Sequence, residues 1–262
     1  MFNSDDAEMD KAFKAARETF KYFWRELAWE QRRIVPGLGL ACVKVAFSDG
    51  PDAETEVEHM WVSEVDFDGK TITGVLINQP NWLKSVKQGD PVQVKPSEIG
   101  DWMYSINDRV YGAYTVNLMR AQMAPAERNA HDSAWGLDFG DPDVIEVVPP
   151  SKPAKKVGFF GSLLGKKAEV IAEDPTSAVD HPMALNMLPS LAEFLSQNPG
   201  EANSPDDRGL TMLHSMVLAG SAPSVEMLLA NGADRTATTN NGDTALDLAT
   251  ALGWQSVIDV LK

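Results

Sequence analysis

The stretch Asp207-Arg208-Gly209-Leu210-Thr211-Met212-Leu213-His214 decides how the C-terminal third folds, because it returns. Gly209, Thr211, Leu213 and Gly220 recur 33 residues later as Gly242, Thr244, Leu246 and Gly253, within Asn241-Gly242-Asp243-Thr244-Ala245-Leu246-Asp247. Between the copies lies Val225-Glu226-Met227-Leu228-Leu229-Ala230-Asn231-Gly232-Ala233-Asp234, echoed by Val257-Ile258-Asp259-Val260-Leu261. A fixed period of this length marks stacked supersecondary units. Gly209 and Gly242 suit a tight turn in which a positive φ is cheap only without a Cβ. Thr211 and Thr244 stand where a hydroxyl caps a helix. Leu213, Leu246, Leu228, Leu229 and Leu261 are the side chains that would pack between neighbouring units.

The pattern resembles ankyrin repeats: a glycine turn, Thr-Pro-Leu-His, two helices and Leu-Leu-x-x-Gly-Ala. Met212 and Ala245 replace the usual proline, and Asp247 replaces the histidine of the second copy. A degenerate first unit, with residues 183–188 and 191–195 as its helices, brings the count to about three, which is what a continuous core needs. The resemblance implies an all-α ankyrin domain over 178–262 and a groove that binds another protein. The residues expected to line that groove are Arg208, Met212, Met216, Arg235, Asn240, Asn241 and Asp243.

Upstream, residues 150–177 read as a linker rich in proline, glycine and lysine. Within it, Lys155, Lys156, Lys166 and Lys167 bracket an apolar segment that could touch a membrane surface, although packing between domains is the plainer account. Residues 1–149 have the signals of an α+β domain with a helix and a mostly antiparallel sheet. Phe13, Ala16, Phe20, Phe23 and Leu27 step by three and four, an apolar stripe at helical period. Asn3 or Ser4 would cap this helix, and it should end near Arg33, before Pro36-Gly37. Strand signals follow at residues 40–47, 57–65, 71–77 and 92–94, with Asp68-Gly69 as a hairpin turn. Residues 102–106 and 144–148 are further strand candidates, and the stretch after Tyr114 predicts a second helix.

Several segments of this half are similar to the YegJ-type bacterial domain of unknown function, DUF2314. They are Glu58-His59-Met60-Trp61-Val62, Gly74-Val75-Leu76-Ile77-Asn78-Gln79-Pro80, Gly89-Asp90-Pro91-Val92, Ile99-Gly100-Asp101-Trp102-Met103-Tyr104 and Val110-Tyr111-Gly112-Ala113-Tyr114-Thr115. The similarity implies a small α+β fold and no defined chemistry. Proteins of this kind, like ankyrin proteins, are associated with bacterial toxin–immunity settings, which is an association and not a mechanism.

Composition narrows the function classes. The chain has 262 residues, 44% hydrophobic and 23% charged, and a net charge of −15. Residues 1–150 carry fifteen Lys/Arg against twenty-five Asp/Glu, residues 151–168 five lysines and no acid, and residues 169–262 three bases against thirteen acids. Both halves would repel phosphate backbones, so nucleic acid is not an expected partner; a basic protein is easier to recruit. One cysteine excludes an internal disulfide framework, and its place in the apolar run 38–47 predicts a buried, inert thiol. The acidic N-terminus has no signal peptide and no apolar run spans a bilayer, which predicts a cytoplasmic protein.

The four histidines lack metal-ligand spacing, and no nucleophile elbow, phosphate loop or dinucleotide fingerprint occurs, so no cofactor, metal or catalytic residue is expected. The favoured reading is a non-catalytic protein-binding module, an immunity or adaptor protein. The alternative is an enzyme or small-ligand binder with a pocket at His59, Trp61, Asn78, Asp101 and Trp102. Glu58, His59 and Asp101 could then form an acid/base site if the fold brought them together. Structural roles are the plainer reading of these same residues: tryptophans on the core faces of strands, Asn78 as a strand end bonded to backbone, and Asp101 as a cap.

Overall fold

The computed structural model describes residues 7–50, 57–150 and 180–262. The expected caps Asn3 and Ser4 and the lysine-bracketed segment at 155–167 lie outside the described residues.

Helix α1 (Ala7–Glu30) contains neither glycine nor proline, so nothing interrupts its ladder over 24 residues. It stops three residues short of Arg33 because Glu30 folds back on the chain. Its carboxylate accepts the N–H groups of Gly37 (2.7 Å) and Leu38 (3.2 Å) and aims the backbone into the sheet.

Six strands follow: β1 (Leu38–Phe47), β2 (Glu58–Phe67), β3 (Ile72–Leu76), β4 (Pro91–Val94), β5 (Ile99–Ile106) and β6 (Arg109–Gly112). They form one antiparallel sheet in the order β4-β3-β2-β1-β5-β6. Strand β6, not among the expected strands, returns from β5 through a two-residue turn at Asn107-Asp108, both at positive φ. The extended segment at 144–148 is not a strand of the ladder. It runs beside β6, where Gly112 N–H reaches Glu146 O (2.7 Å) and Arg109 grips Glu146 (2.8 Å) and Asp138 (3.0 Å).

Alternation gives the sheet two different faces. Val43, Val45, Met60, Val62, Trp102 and Tyr104 lie on the α1 side. Cys42, Trp61 and Met103 lie on the other, under Ala113 and Val116 at the start of α2 (Tyr114–Gln122) and beside Phe139, which follows α3 (Pro125–Trp135). Cys42 is fully buried, and burial pushes its thiol pKa far up, so the predicted inert thiol is what the structure shows.

The tail forms α4 (Pro182–Gln197), α5 (Met212–Leu218), α6 (Ala222–Ala230), α7 (Ala245–Leu252) and α8 (Gln255–Leu261). Helix α5 packs on α7, α4 and α6 on each other, and α6 on α8, so the stack has an inner and an outer row. Gly209 and Gly242 adopt φ of 77° and 81° in the expected turns. Both capping boxes form, and the departure at Asp247 has a reason: its carboxylate accepts Thr244 N–H (2.9 Å) and hydroxyl (2.6 Å). The first unit differs from expectation. Residues 183–195 belong to a single helix running through Pro189, and α4 is an outer helix without an inner one of its own.

Helix α1 joins the two halves. Its sheet side carries Phe20, against Phe67 (5.4 Å), and Phe23, against Trp102 (5.9 Å). Its other side carries Tyr22, edge-on to Trp254 (5.7 Å), and Trp29, stacked on His181 (5.7 Å). Glu26 meets His181 Nε2 at 3.1 Å, with both side chains buried. The β2–β3 hairpin completes the joint: at Gly69, with φ of 101°, an added Cβ would collide with Leu248 of α7. One contiguous apolar cluster therefore runs from Val62 and Phe67 to Leu213, Leu248 and Trp254.

A shared core should unfold as one unit. Phe67→Ala should cost about 3–5 kcal/mol by emptying a large buried site. Hydrogen exchange read by mass spectrometry should report the same loss of protection in α7 as in β1. Unchanged α7 amides in that variant would show that the halves unfold separately.

Candidate functional site

Two surfaces contain the residues singled out from sequence. The first is the sheet face that carries Cys42, Trp61 and Met103. Register places Lys44 of β1 opposite Trp61 of β2 on one side and opposite Asp101 of β5 on the other. His59, two residues before Trp61, projects from the same face at a diagonal to Lys44. Thr115, in the first turn of α2, closes the group: Lys44 Nζ donates to its Oγ1 (3.2 Å), and that hydroxyl donates to Asp101 Oδ2 (2.6 Å).

Asp101 is fully buried and satisfied. It accepts the backbone N–H groups of Trp102 (2.8 Å), Tyr114 (2.9 Å) and Thr115 (2.8 Å) besides that hydroxyl. Ala113 sits in the left-handed region with φ of 59° and its side chain caps nothing, so Asp101 reaches across from β5 to cap α2. Burial raises its pKa against the pull of Thr115 and Lys44. Burial also lowers the pKa of Lys44. His59 is lowered by burial first and by Lys44 second. The Lys44 ammonium lies 5.2 Å from the Trp61 ring centre. The His59 ring stacks on Phe13 (5.1 Å) and takes no hydrogen bond among the described residues.

The five residues of the expected pocket are thus divided. His59, Trp61 and Asp101 share a face. Trp102 faces α1, fully buried, with its indole N–H on Ala16 O (2.9 Å). Asn78, two residues past the end of β3, accepts Trp61 N–H (2.6 Å), a backbone role. Glu58 is occupied with the Asn81 amide and side chain (3.0 and 2.5 Å) and does not join His59. Lys44 and Thr115 join the group without belonging to the expected pocket. The signal for Lys44 is present: it is the one charge in the ten-residue strand Leu38–Phe47.

The second surface is the inner row of the stack, and much of it is covered by the chain's own N-terminal half. Arg208 pairs with Asp66 (2.6 Å), Asp243 with Lys70 (2.8 Å), and the Asn241 side-chain amide donates to Asp68 (3.3 Å). Met216 is buried and Met212 partly so, both packed in the common core. Arg235 and Asn240 remain exposed; Arg235 reaches Leu261 O (3.4 Å), and Asn240 ties the two loop tips together through Asp207 O (2.9 Å). His214 accepts Thr211 N–H (3.1 Å) and reaches Ala237 O (3.1 Å), bracing the neighbouring loop. Among the described residues, no group of three His, Cys, Asp or Glu side chains could hold a metal ion, and no helix is long and apolar enough to cross a membrane.

Comparison with known proteins places both halves. Residues 6–139 match the family described as "Uncharacterized protein conserved in bacteria (DUF2314)", and residues 195–249 match ankyrin repeats. A Neisseria meningitidis serogroup B protein named for ankyrin repeats is 43% identical over 258 residues, covering 98% of this chain and 94% of its own length. The uncharacterized protein YegJ of Escherichia coli K12 is 35% identical over 60 residues, 23% of this chain and 39% of its own.

The two lowered histidines set a pH dependence. His59 and His214 fall below 6.5 in the folded chain, each chiefly through burial. The unfolded chain therefore binds more protons just below 6.5, and stability rises with pH through that window. Their contribution is present in full above about pH 6.5 and is lost as pH falls toward each folded pKa. Urea midpoints taken from about pH 7.5 down to about 5 should decline, and less steeply in the His59→Gln/His214→Gln double variant. An identical slope in that variant would remove these two groups as the source.

Proposed function

The chain belongs to the DUF2314 family and ends in ankyrin repeats, and on that premise we propose that it is a non-catalytic cytoplasmic protein-binding module, an immunity or adaptor protein. One observation carries the reading. The stack already grips a protein surface, its own β2–β3 hairpin, through Arg208, Asn241 and Asp243. Inner-row recognition of protein by this stack is therefore built into the fold.

That same grip decides where a second protein would bind. The partner reads what the hairpin leaves exposed, the loop tips around Asp207, Arg235 and Asn240, together with neighbouring surface of the N-terminal half. A stable interface takes roughly 800 Å² from each side, more than two loop tips offer. The partner is basic rather than acidic. Residues 169–262 hold thirteen acids against three bases, and one of those bases, Arg208, is neutralised by Asp66 and Asp206. An acidic surface of this kind speeds encounter with a basic protein, and salt weakens the effect. If the partner is a toxin, occluding its active site would suffice.

Affinity capture from the native host with the full chain, at low and high salt, tests this. The expected result is one basic protein, recovered mainly at low salt, whose affinity drops roughly tenfold with Asp207→Lys, about 1.4 kcal/mol. Recovery that ignores both salt and Asp207→Lys would defeat the surface assigned here. Turnover of a metabolite by the chain alone would defeat the module reading itself.

A further inference from the structure

We propose that the sheet face carrying Lys44 and Trp61 binds a small oxyanion, a carboxylate or a phosphate, held by the Lys44 ammonium and by the His59 ring, which Phe13 of α1 backs. This site is separate from the loop tips and stands or falls independently of them.

The argument is a count of donors and acceptors. Asp101, the nearest anion to Lys44, spends both oxygens on Trp102, Tyr114 and Thr115. Lys44 does not reach it directly; it stops at Thr115 Oγ1, whose single proton already points to Asp101. An ammonium has three donors and no acceptor. Lys44 uses one of the three among the described residues, although it is half-buried in a strand otherwise free of charge. Two donors of this partly buried ammonium are left for water or a ligand, and an anion would take them in charge-assisted hydrogen bonds.

The neighbours fit the same charge. His59 makes no ring hydrogen bond among the described residues, so stacking on Phe13 holds the ring while leaving its N–H to donate. Burial and the nearby Lys44 favour the neutral ring, which donates one hydrogen bond without adding a second positive charge. Trp61 is 7% exposed and lines the floor beneath the ammonium. A cation would find no free acceptor here, because the Asp101 oxygens and the Thr115 hydroxyl are engaged. Access lies over β3 and β4, where Thr73, Ile77 and Gln93 of the same face are exposed.

Two anions that share this chemistry can be told apart by titration of the isotope-labelled full chain with inorganic phosphate in one arm and acetate in the other. NMR follows the His59 ring and the Lys44 Nζ resonance. The expected result is a saturable shift of both groups in at least one arm, with the tighter arm naming the ligand class. The shift should weaken at least tenfold in Lys44→Met and persist in Lys44→Arg. No shift in either arm overturns the proposal. So does the same His59 shift in a folded Lys44→Met chain, which marks an adventitious ion only. If Lys44→Met does not fold, the Nζ resonance of the unaltered chain decides alone: perturbed by anion, the site stands; unperturbed, it does not.

Discussion

Everything in this molecule depends on a helix buried along two sides. Helix α1 places Ala16, Phe20 and Phe23 on the sheet and Tyr22, Glu26 and Trp29 on the helical stack. A surface helix has one apolar stripe and one polar face. This one has two stripes about a third of a turn apart, and it buries Arg25 and Glu26 as well. Buried charge is tolerated only with partners, and Glu26 has His181 across the joint at 3.1 Å. His181 uses its other ring nitrogen to accept Met183 N–H (3.2 Å) at the start of α4. The first turn of the stack is thereby capped by a residue whose orientation α1 fixes. Since α4 has no inner helix of its own, α1 supplies the packing that a complete first repeat would have given.

The sheet solves a second problem with the same economy. Helix α2 begins at a backbone turn with positive φ and no capping side chain of its own. Its first amides would be orphaned under the sheet face were Asp101 not placed to accept them. A fully buried carboxylate needs several donors, and four are present. Committing both Asp101 oxygens to these donors leaves Lys44 a hydroxyl as its hydrogen-bond partner, with Asp101 attracting it only through space. The charge asymmetry of this face thus follows from the way α2 is capped.

The repeat was legible because each feature is local: a glycine at positive φ, a capping hydroxyl and leucines at fixed offsets all sit within one 33-residue period. The long helix, the hairpin at Asp68-Gly69 and most strands were legible for the same reason, since period and turn chemistry act over a few residues. The break in expectation at 144–148 was not, because that segment is held beside β6 by Arg109 and Gly112 rather than by a ladder of its own. The pocket expected around His59 was half legible. Its members lie on strands whose relative register no single segment reveals, and one residue of offset sends Trp102 to the opposite face from Asp101. Tyr22 and Trp29 advertise a second apolar flank on α1, yet nothing local says that the flank is meant for residues more than 150 positions away.

The covered inner row bears on how such a stack can act. A groove that engages its own chain through Phe67, Leu248 and Trp254 is a core and not a latch, because opening it would expose large apolar side chains from both halves. Exchange of the hairpin for an outside ligand would have to replace that burial as well as three polar pairs. Recognition is cheaper at the loop tips, whose backbone is already braced by Asn240, Asp206 and His214 and whose side chains stand free of the core. Preorganised loops on a stiff support lose little entropy on binding. The fusion therefore works as one body: the N-terminal half rigidifies the repeats, and the repeats hold the hairpin beside the tips that a partner would meet.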